Sequence, residues 1–206
     1  NIQSAIGNGM VSITDDSTKS CSSLTGSTAS LGNASGRASA TTDYLGEEQT
    51  VNGKTAVTYR GEENLWGNIW KWVDGVNLQN PTTFASGDYA LGLYVADHDF
   101  ADNIGTEPYE STGLFIPYHT WSYISAFCYS ESYDWMFVAG ENKGNSTLPV
   151  GDCSQSDQPG WRVCRSGACW GDGSGAGAFF LHWDSSSGAR SRIVGGRLVY
   201  RKKKAA

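Results

Sequence analysis

Charged side chains are scarce in this sequence, and positive ones are scarcer than negative ones. Asp, Glu, Lys and Arg make up 17% of the 206 residues, with 15 basic side chains against 21 acidic ones and a net charge of −6. Binding to nucleic acid depends on cationic contacts with phosphates, so this balance argues against a nucleic-acid partner. The basic cluster at residues 201–204 is interpreted as a solvated tail.

Long apolar runs are missing as well. No stretch is apolar over the length that a membrane-spanning helix needs, and no leader of positive and then apolar residues opens the sequence. We therefore expect neither a signal peptide nor a transmembrane segment, and no direct insertion into a membrane.

Histidine is rare, and its three positions form neither a Ser-His-Asp arrangement nor a zinc-ligand spacing. Asp97, Asp99 and Asp102 offer oxygen atoms that calcium could use, but the glycine and the terminal glutamate of an EF-hand loop are absent. A solvated loop is the favoured interpretation of this segment. We expect no catalytic residue, no metal and no cofactor.

The number of cysteines is odd, which excludes complete pairing within one chain. The five are Cys21, Cys128, Cys153, Cys164 and Cys169. In an exported protein Cys153 could form a disulfide with Cys164 or with Cys169, but no spacing requires either bond. The redox compartment therefore stays open.

Glycine and large aromatic residues are abundant. The sequence has 26 Gly, 8 Trp and 10 Tyr. A composition rich in these residues and poor in charge is typical of a loop-rich fold that a few large side chains hold together. A chain of 206 residues can form one domain with a full core, or one domain plus an extension.

The stretch of residues 160–200 organises the rest of the chain. Within it the run AFFLHWD, residues 178–184, alternates like a strand. Its odd-numbered residues are large and apolar, and their burial would fix the register. Its even-numbered residues are chemically mixed and are expected to face solvent: Phe180, His182 and Asp184. Gly195 and Gly196 predict a tight bend into a terminal strand.

This stretch resembles the C-terminal variable region of the proteins that diversity-generating retroelements diversify, of which the phage major tropism determinants are examples. The usual spelling there is close to GGxWxNGSxAGxFxLNxNxxxSNSNxNIGxR, with asparagine codons as the main sites of mutation. The matching positions are Trp170, Gly173, Ser174, Ala176, Gly177, Phe179, Leu181, Gly195 and Arg197. Other residues stand where that family often has Asn, and all are reachable from an asparagine codon by changing adenines alone: Gly175, His182, Asp184, Ala189, Ser191 and Ile193.

The resemblance implies an α+β, C-type lectin-like fold, or a variant related to the formylglycine-generating enzymes, that is loop-rich with short helices and small antiparallel sheets. It implies a non-enzymatic display protein, at a virion or cell surface, that binds a protein or cell-surface ligand through a diversified region at about residues 160–200. The expected contact residues are Ser166, Ala168, Asp172, Gly175, Phe180, His182, Asp184, Ala189, Ser191, Arg192 and Ile193. Assembly into a homo-oligomer would add avidity.

Two regions are predicted along the chain: an N-terminal arm or short-strand extension at residues 1–52, rich in Ser, Thr and Gly, and the ligand-binding domain at residues 53–206. Residues 56–60 are predicted to form a strand, and from about Glu62 to Gly75 apolar side chains recur at helical spacing, which predicts a buried helix of about three turns. Its tryptophans are interpreted as core residues instead of a sugar-binding cage. Strands are predicted at residues 89–95 and 133–139.

Two other functions stay open. One is a tail or fibre adhesin of a phage or virus, whose ligand surface is fixed instead of diversified. The other is an oxidase of the formylglycine-generating type, whose two cysteines are separated by four residues, as Cys164 and Cys169 are here. The position of this pair relative to the neighbouring Ser-Gly-Ala-Cys-Trp turn departs from those enzymes, which favours binding over catalysis.

Overall fold

The computed structural model describes residues 26, 28–39, 55–85, 87–146, 148, 150–169, 171–172 and 175–196. These ranges contain thirteen β-strands and a short 3-10 helix at Ala29–Leu31. In chain order the strands are β1 (Gly36–Ser39), β2 (Thr55–Tyr59), β3 (Glu62–Glu63), β4 (Trp70–Gln79), β5 (Gly92–Val95), β6 (Glu110–Ser111), β7 (His119–Tyr123), β8 (Ala126–Ser130), β9 (Tyr133–Glu141), β10 (Cys153–Ser156), β11 (Trp161–Ser166), β12 (Leu181–Ser185) and β13 (Val194–Gly195).

The strands form three sheets. The main sheet has the order β6-β5-β4-β11-β12-β10-β7, with β13 pairing with β4. Most of its pairs are antiparallel, but β10 runs parallel to β12 and β13 runs parallel to β4. A three-stranded sheet has the order β1-β2-β3, and β8 and β9 form a hairpin. β11 and β12, from the stretch of residues 160–200, therefore lie inside the main sheet.

This architecture shows that the expected α+β fold, and with it a C-type lectin-like fold with short helices, is wrong. The described ranges contain strands and no α-helix. The strand-like run predicted at residues 56–60 is confirmed as β2, but the helix predicted after it, from about Glu62 to Gly75, is instead β3, a turn and the first part of β4. Asn64 and Asn68, in the turn, have left-handed φ angles of 53° and 54°, which a right-handed helix cannot include. The helical spacing of the apolar residues is therefore produced by the turn together with the strands on either side of it.

The main sheet carries a hydrophobic core on each of its two faces. The Leu78 core contains Val76, Leu78, Ala90, Leu93, Val95, Leu114, Ile116, Met136, Val138, Cys164 and Trp183. The Trp70 core contains Trp70, Cys153, Ala168, Cys169, Ala176 and Phe180, with Tyr123, Ile193 and Val194 packed against it. Adjacent residues of β12 enter different cores, as the alternation of a strand requires.

The predicted division between a buried and a displayed face of β12 is wrong for this reason. Trp183 is buried as expected, but Phe180 and His182 on the other side are 0% and 7% exposed. Because β12 lies between β10 and β11, and the Trp70 core covers its second face, both of its faces are inside the molecule. Asp184, at the end of the strand, is half-buried.

Other predictions have mixed outcomes. The strand predicted at residues 133–139 is confirmed as β9, whereas β5 covers only the second half of residues 89–95. β1, from the predicted N-terminal arm, pairs with β2 in the predicted ligand-binding domain. Most of the arm, the terminal strand after Gly196 and the basic cluster at residues 201–204 lie outside the described residues.

Candidate functional site

An interruption in the pairing of β4 with β11 opens a cleft in the main sheet. Cys164 pairs with Val73 but Val163 pairs with Asn77, so residues 74–76 of β4 have no partner on β11 and form a bulge. A cavity of about 490 Å³ lies here. This Trp72 cleft is lined by Trp72, Val73, Asp74, Gly75, Val76, Asn77, Phe100, Ala101, Asp102, Tyr109, Val163, Ser187 and Gly196.

The connection between β5 and β6, residues 96–109, forms one wall of the cleft. The Asn77 side-chain amide donates a hydrogen bond of 2.9 Å to the carbonyl oxygen of Ala101 and so ties this wall to β4. Gly75 has a left-handed φ of 75°, and a Cβ atom there would lie 2.8 Å from the Phe100 ring. The bulge therefore requires glycine, both for its backbone and for the space that Phe100 occupies.

The connection between β12 and β13, residues 186–193, is called the C-terminal loop and supplies a second wall through Ser187. Its serines and arginines are exposed. Its far end is held because Ile193 packs against the Trp70 core and its carbonyl oxygen accepts a 2.7 Å hydrogen bond from the Trp70 N–H. The loop is thus fixed at its end and open to solvent along its length.

The near end of the C-terminal loop is held by an ionic cluster on the same face of the sheet. A terminal nitrogen of Arg165 donates a 2.6 Å hydrogen bond to Asp184 Oδ1, and His182 Nδ1 lies 2.8 Å from the same oxygen. The guanidinium carbon lies 5.1 Å from the ring centroid of Trp70 and 5.9 Å from that of Trp72, within the range of cation–π contact. This arrangement joins β4, β11 and β12 directly beside the cleft.

The charge of Asp184 is stabilised within this cluster. Burial acts to raise the pKa of Asp184, but the hydrogen bond and charge interaction with His182, the hydrogen bond from Ser185 and the positive charge of Arg165 together outweigh it. The pKa of Asp184 is therefore well below its usual range. The carboxylate is ionised at neutral pH and keeps Arg165, whose exposed fraction is 8%, from being an unpaired buried charge.

The structure divides the predicted contact residues into two groups. Those that are exposed or partly exposed are Ser166, Asp172, Asp184, Ala189, Ser191, Arg192 and Ile193. Those that are buried are Ala168, Gly175, Phe180 and His182, and for these four the expectation of a displayed side chain is wrong. Contact between the first group and a ligand stays a prediction.

Packing explains why the second group is inside. Phe180 meets the Trp70 ring edge to face, with centroids 4.7 Å apart. A Cβ atom at Gly175 would collide with the Trp121 ring and lie 3.1 Å from the sulfur of Cys153. Substitution at Gly175 therefore disturbs the Trp70 core instead of changing a displayed surface.

The cysteines are divided by the main sheet. Cys128, Cys153, Cys164 and Cys169 are free, and Cys21 lies outside the described residues. Cys164 is in the Leu78 core, whereas Cys153 and Cys169 are in the Trp70 core. The sheet therefore places Cys164 in a different core from Cys153 and from Cys169, the partner that the oxidase spacing would give it. Cys153 and Cys169 share the Trp70 core, and both are free. Burial, with the charge of Asp172, raises the pKa of Cys169 to about 12.

The three aspartates considered as calcium ligands lie in the wall formed by residues 96–109. Asp97 Oδ1 is 2.5 Å from His98 Nδ1, and this contact raises the pKa of His98. Asp99 Oδ2 is 4.0 Å from the other nitrogen of that ring, whereas Asp102 lines the cleft. Across the described residues, no group of three or more His, Cys, Asp and Glu side chains is placed to hold a metal ion.

Sequence reasoning missed most of the cleft as a ligand site. Trp72 was assigned to a buried helix, and Asp74, Phe100 and Tyr109 were given no role. A signal was nevertheless present in the run WKWVDGVNLQ, residues 70–79. An isolated glycine inside a strand pattern indicates a bulge, and bulges are over-represented next to functional sites.

No family model, curated protein or solved structure matches this chain. Within the ranges that the structure describes, no helix is long and apolar enough to cross a membrane. The cleft and the two connections that line it are therefore the basis for proposing a function.

Proposed function

We propose that this chain is a ligand-binding protein, without catalytic activity, that recognises a protein or cell-surface ligand at the Trp72 cleft and along the C-terminal loop. The observation that carries the proposal is the position of Ser187. It belongs to the exposed part of the region that resembles a diversified sequence, and it also lines the cavity in the sheet. One ligand could therefore contact both the C-terminal loop and the cavity.

In this protein, stability and recognition depend on different residues. β12 is buried on both faces, and the cluster of Arg165, His182 and Asp184 ties it to β11 and β4. The C-terminal loop that follows is exposed, and substitutions at exposed positions usually change stability by no more than about 0.5 kcal/mol. Residues in this loop can differ between variants while the sheet beneath stays the same.

Diversification by a retroelement, at a virion or cell surface, is part of the same proposal. Ala189 and Ser191, two of the residues reachable from asparagine codons, lie in the C-terminal loop. Sequencing the DNA beside the gene tests it. A near-copy of the final coding stretch that differs at adenines, next to a reverse transcriptase, is the expected result, and its absence would leave an adhesin with a fixed surface.

Ligand capture is tested with arrays of glycans and of peptides, probed with the labelled full chain. We expect a captured ligand whose binding falls at least about tenfold in the Ser187→Trp variant, because an indole at a lining position fills part of the cleft. Ser186→Trp is the matched control, since Ser186 is exposed but does not line the cleft. Capture that both variants retain would contradict the proposed site.

A further inference from the structure

We infer that the Trp72 cleft takes an organic cation: a ligand group with an ammonium, alkylammonium or guanidinium charge. This inference rests on the proposed function for the location of the site and goes beyond it by naming the chemistry of the group that enters. It is carried by the charges and the aromatic rings that line the cavity.

In the part of the chain that the structure describes, the charged side chains that line the cleft are all acidic. Asp74, on the bulge of β4, and Asp102, in the wall formed by residues 96–109, both line it. Among the described residues that line it, none is Lys, Arg or His. Two carboxylates that share a cavity repel each other and disfavour an anionic ligand, whereas a cationic group between them is attracted by both.

The aromatic lining favours an organic cation over a small inorganic one. Trp72, Phe100 and Tyr109 line the cavity; Phe100 is 54% exposed, whereas Tyr109 is 4% exposed. The face of an aromatic ring attracts a cation within about 6 Å and also contacts its alkyl groups. A metal ion would need converging ligands, and the described residues provide no such group of side chains.

Arg165 does not cancel this effect. Its guanidinium lies against the Trp72 ring at 5.9 Å from the centroid, but it does not line the cavity. Its charge is paired with Asp184 at 2.6 Å. Among the described lining residues, Asp74 and Asp102 are therefore the side chains that set the charge of the cleft.

The test compares choline with its uncharged isostere 3,3-dimethyl-1-butanol, which replaces the ammonium nitrogen by carbon. Binding to the full chain is followed through the indole N–H signal of Trp72 in nitrogen-15 NMR spectra, assigned with a Trp72→Phe variant. We expect choline to bind with a dissociation constant of about 1 mM or weaker, as is normal for so small a ligand. We expect the isostere to bind at least about tenfold more weakly.

Charge removal provides the second arm. Asp74→Asn and Asp102→Asn should each weaken choline binding by about two- to fivefold, in line with partly exposed ion pairs. Asp99→Asn is the matched control, because it neutralises an exposed carboxylate in the same wall that does not line the cavity. It should change the affinity by less than about twofold.

The possible results separate this inference from the proposed function. Equal binding of choline and the isostere, or no binding of choline, would overturn the proposal of a cationic ligand. It would also be overturned if methyl glucoside, an uncharged sugar, bound to the chain and choline did not. The proposed site would still stand if Ser187→Trp, but not Ser186→Trp, abolished array capture. If Ser187→Trp did not reduce capture on the array but choline bound saturably at Trp72, the cation site would be supported. The proposed role of the C-terminal loop would then be contradicted.

Discussion

Arg165 shows at the scale of one residue how a positive charge is accommodated inside the main sheet. Two indole rings flank its guanidinium, and one carboxylate oxygen of Asp184 accepts its hydrogen bond. The sequence contained a hint of this pair, because Arg165 and Asp184 lie on two strand-like runs. It could not show that they meet, because strand pairing depends on the register of distant segments.

Replacing Asp184 with asparagine should destabilise the protein at neutral pH by about 1–2 kcal/mol, because Arg165 keeps its burial and loses its counter-charge. The folded pKa of Asp184 is lowered, so its carboxylate stabilises the fold above the ordinary aspartate value of 3.8. This contribution is lost as the pH falls below that value toward the folded pKa. The difference in unfolding free energy between wild type and variant, measured by urea denaturation, should therefore narrow at acid pH.

Asp134→Asn is the control for that experiment, because Asp134 is an exposed carboxylate on β9, away from Arg165. Its difference from wild type should stay within about 0.5 kcal/mol at every pH. A difference for Asp184→Asn that stayed constant from neutral to strongly acid pH would show that the charge of Asp184 does not stabilise the fold.

At the scale of secondary-structure elements, β12 was predicted correctly as a strand but wrongly as a strand with a displayed face. Alternation in a sequence distinguishes two faces; it does not tell whether another segment covers one of them. Phe180 is covered partly by Ala168, Cys169 and Ala176, which belong to a stretch of mostly Gly, Ala, Ser and Cys without an apolar period. β9 was predicted correctly because a run of apolar residues is typical of a strand, and in the structure Met136 and Val138 are buried whereas Phe137 is exposed.

The two-sided burial of β12 predicts a large cost for Phe180→Ala. Loss of a fully buried phenylalanine side chain leaves a cavity in the Trp70 core, so the unfolding free energy should fall by about 3–5 kcal/mol. Phe137→Ala makes the same chemical change at a partly exposed position on β9 and should cost about 1 kcal/mol or less. Equal and small effects in thermal and urea unfolding would mean that Phe180 faces solvent after all.

The wrong prediction of a helix in the segment that contains β4 has a different cause. A turn followed by a strand can place apolar residues at the spacing of a helix, and periodicity alone does not separate the cases. Asn64, Gly67 and Asn68, all with left-handed φ angles, provide the local signal for the turn. Given more weight than the apolar spacing, those residues predict a turn between strands in place of a helix. The sheet predicted in this way contains the bulge that opens the cleft.

At the scale of the whole molecule, two surfaces compete for the role of ligand site. One is the Trp72 cleft with the C-terminal loop. The other is the outward face of the hairpin β8–β9, where Tyr129 and Phe137 lie opposite each other and Trp135 is 63% exposed. The cleft is favoured because it is concave and joins an exposed loop from the resembling region to a cavity with polar and aromatic lining.

Hydrogen–deuterium exchange of the full chain, with and without the ligand captured on the array, compares these surfaces most directly. If the cleft is the site, bound ligand should slow amide exchange in residues 96–109 and 186–196 and leave the hairpin β8–β9 unchanged. Slower exchange confined to the hairpin, with no change in either wall of the cleft, would contradict the central claim.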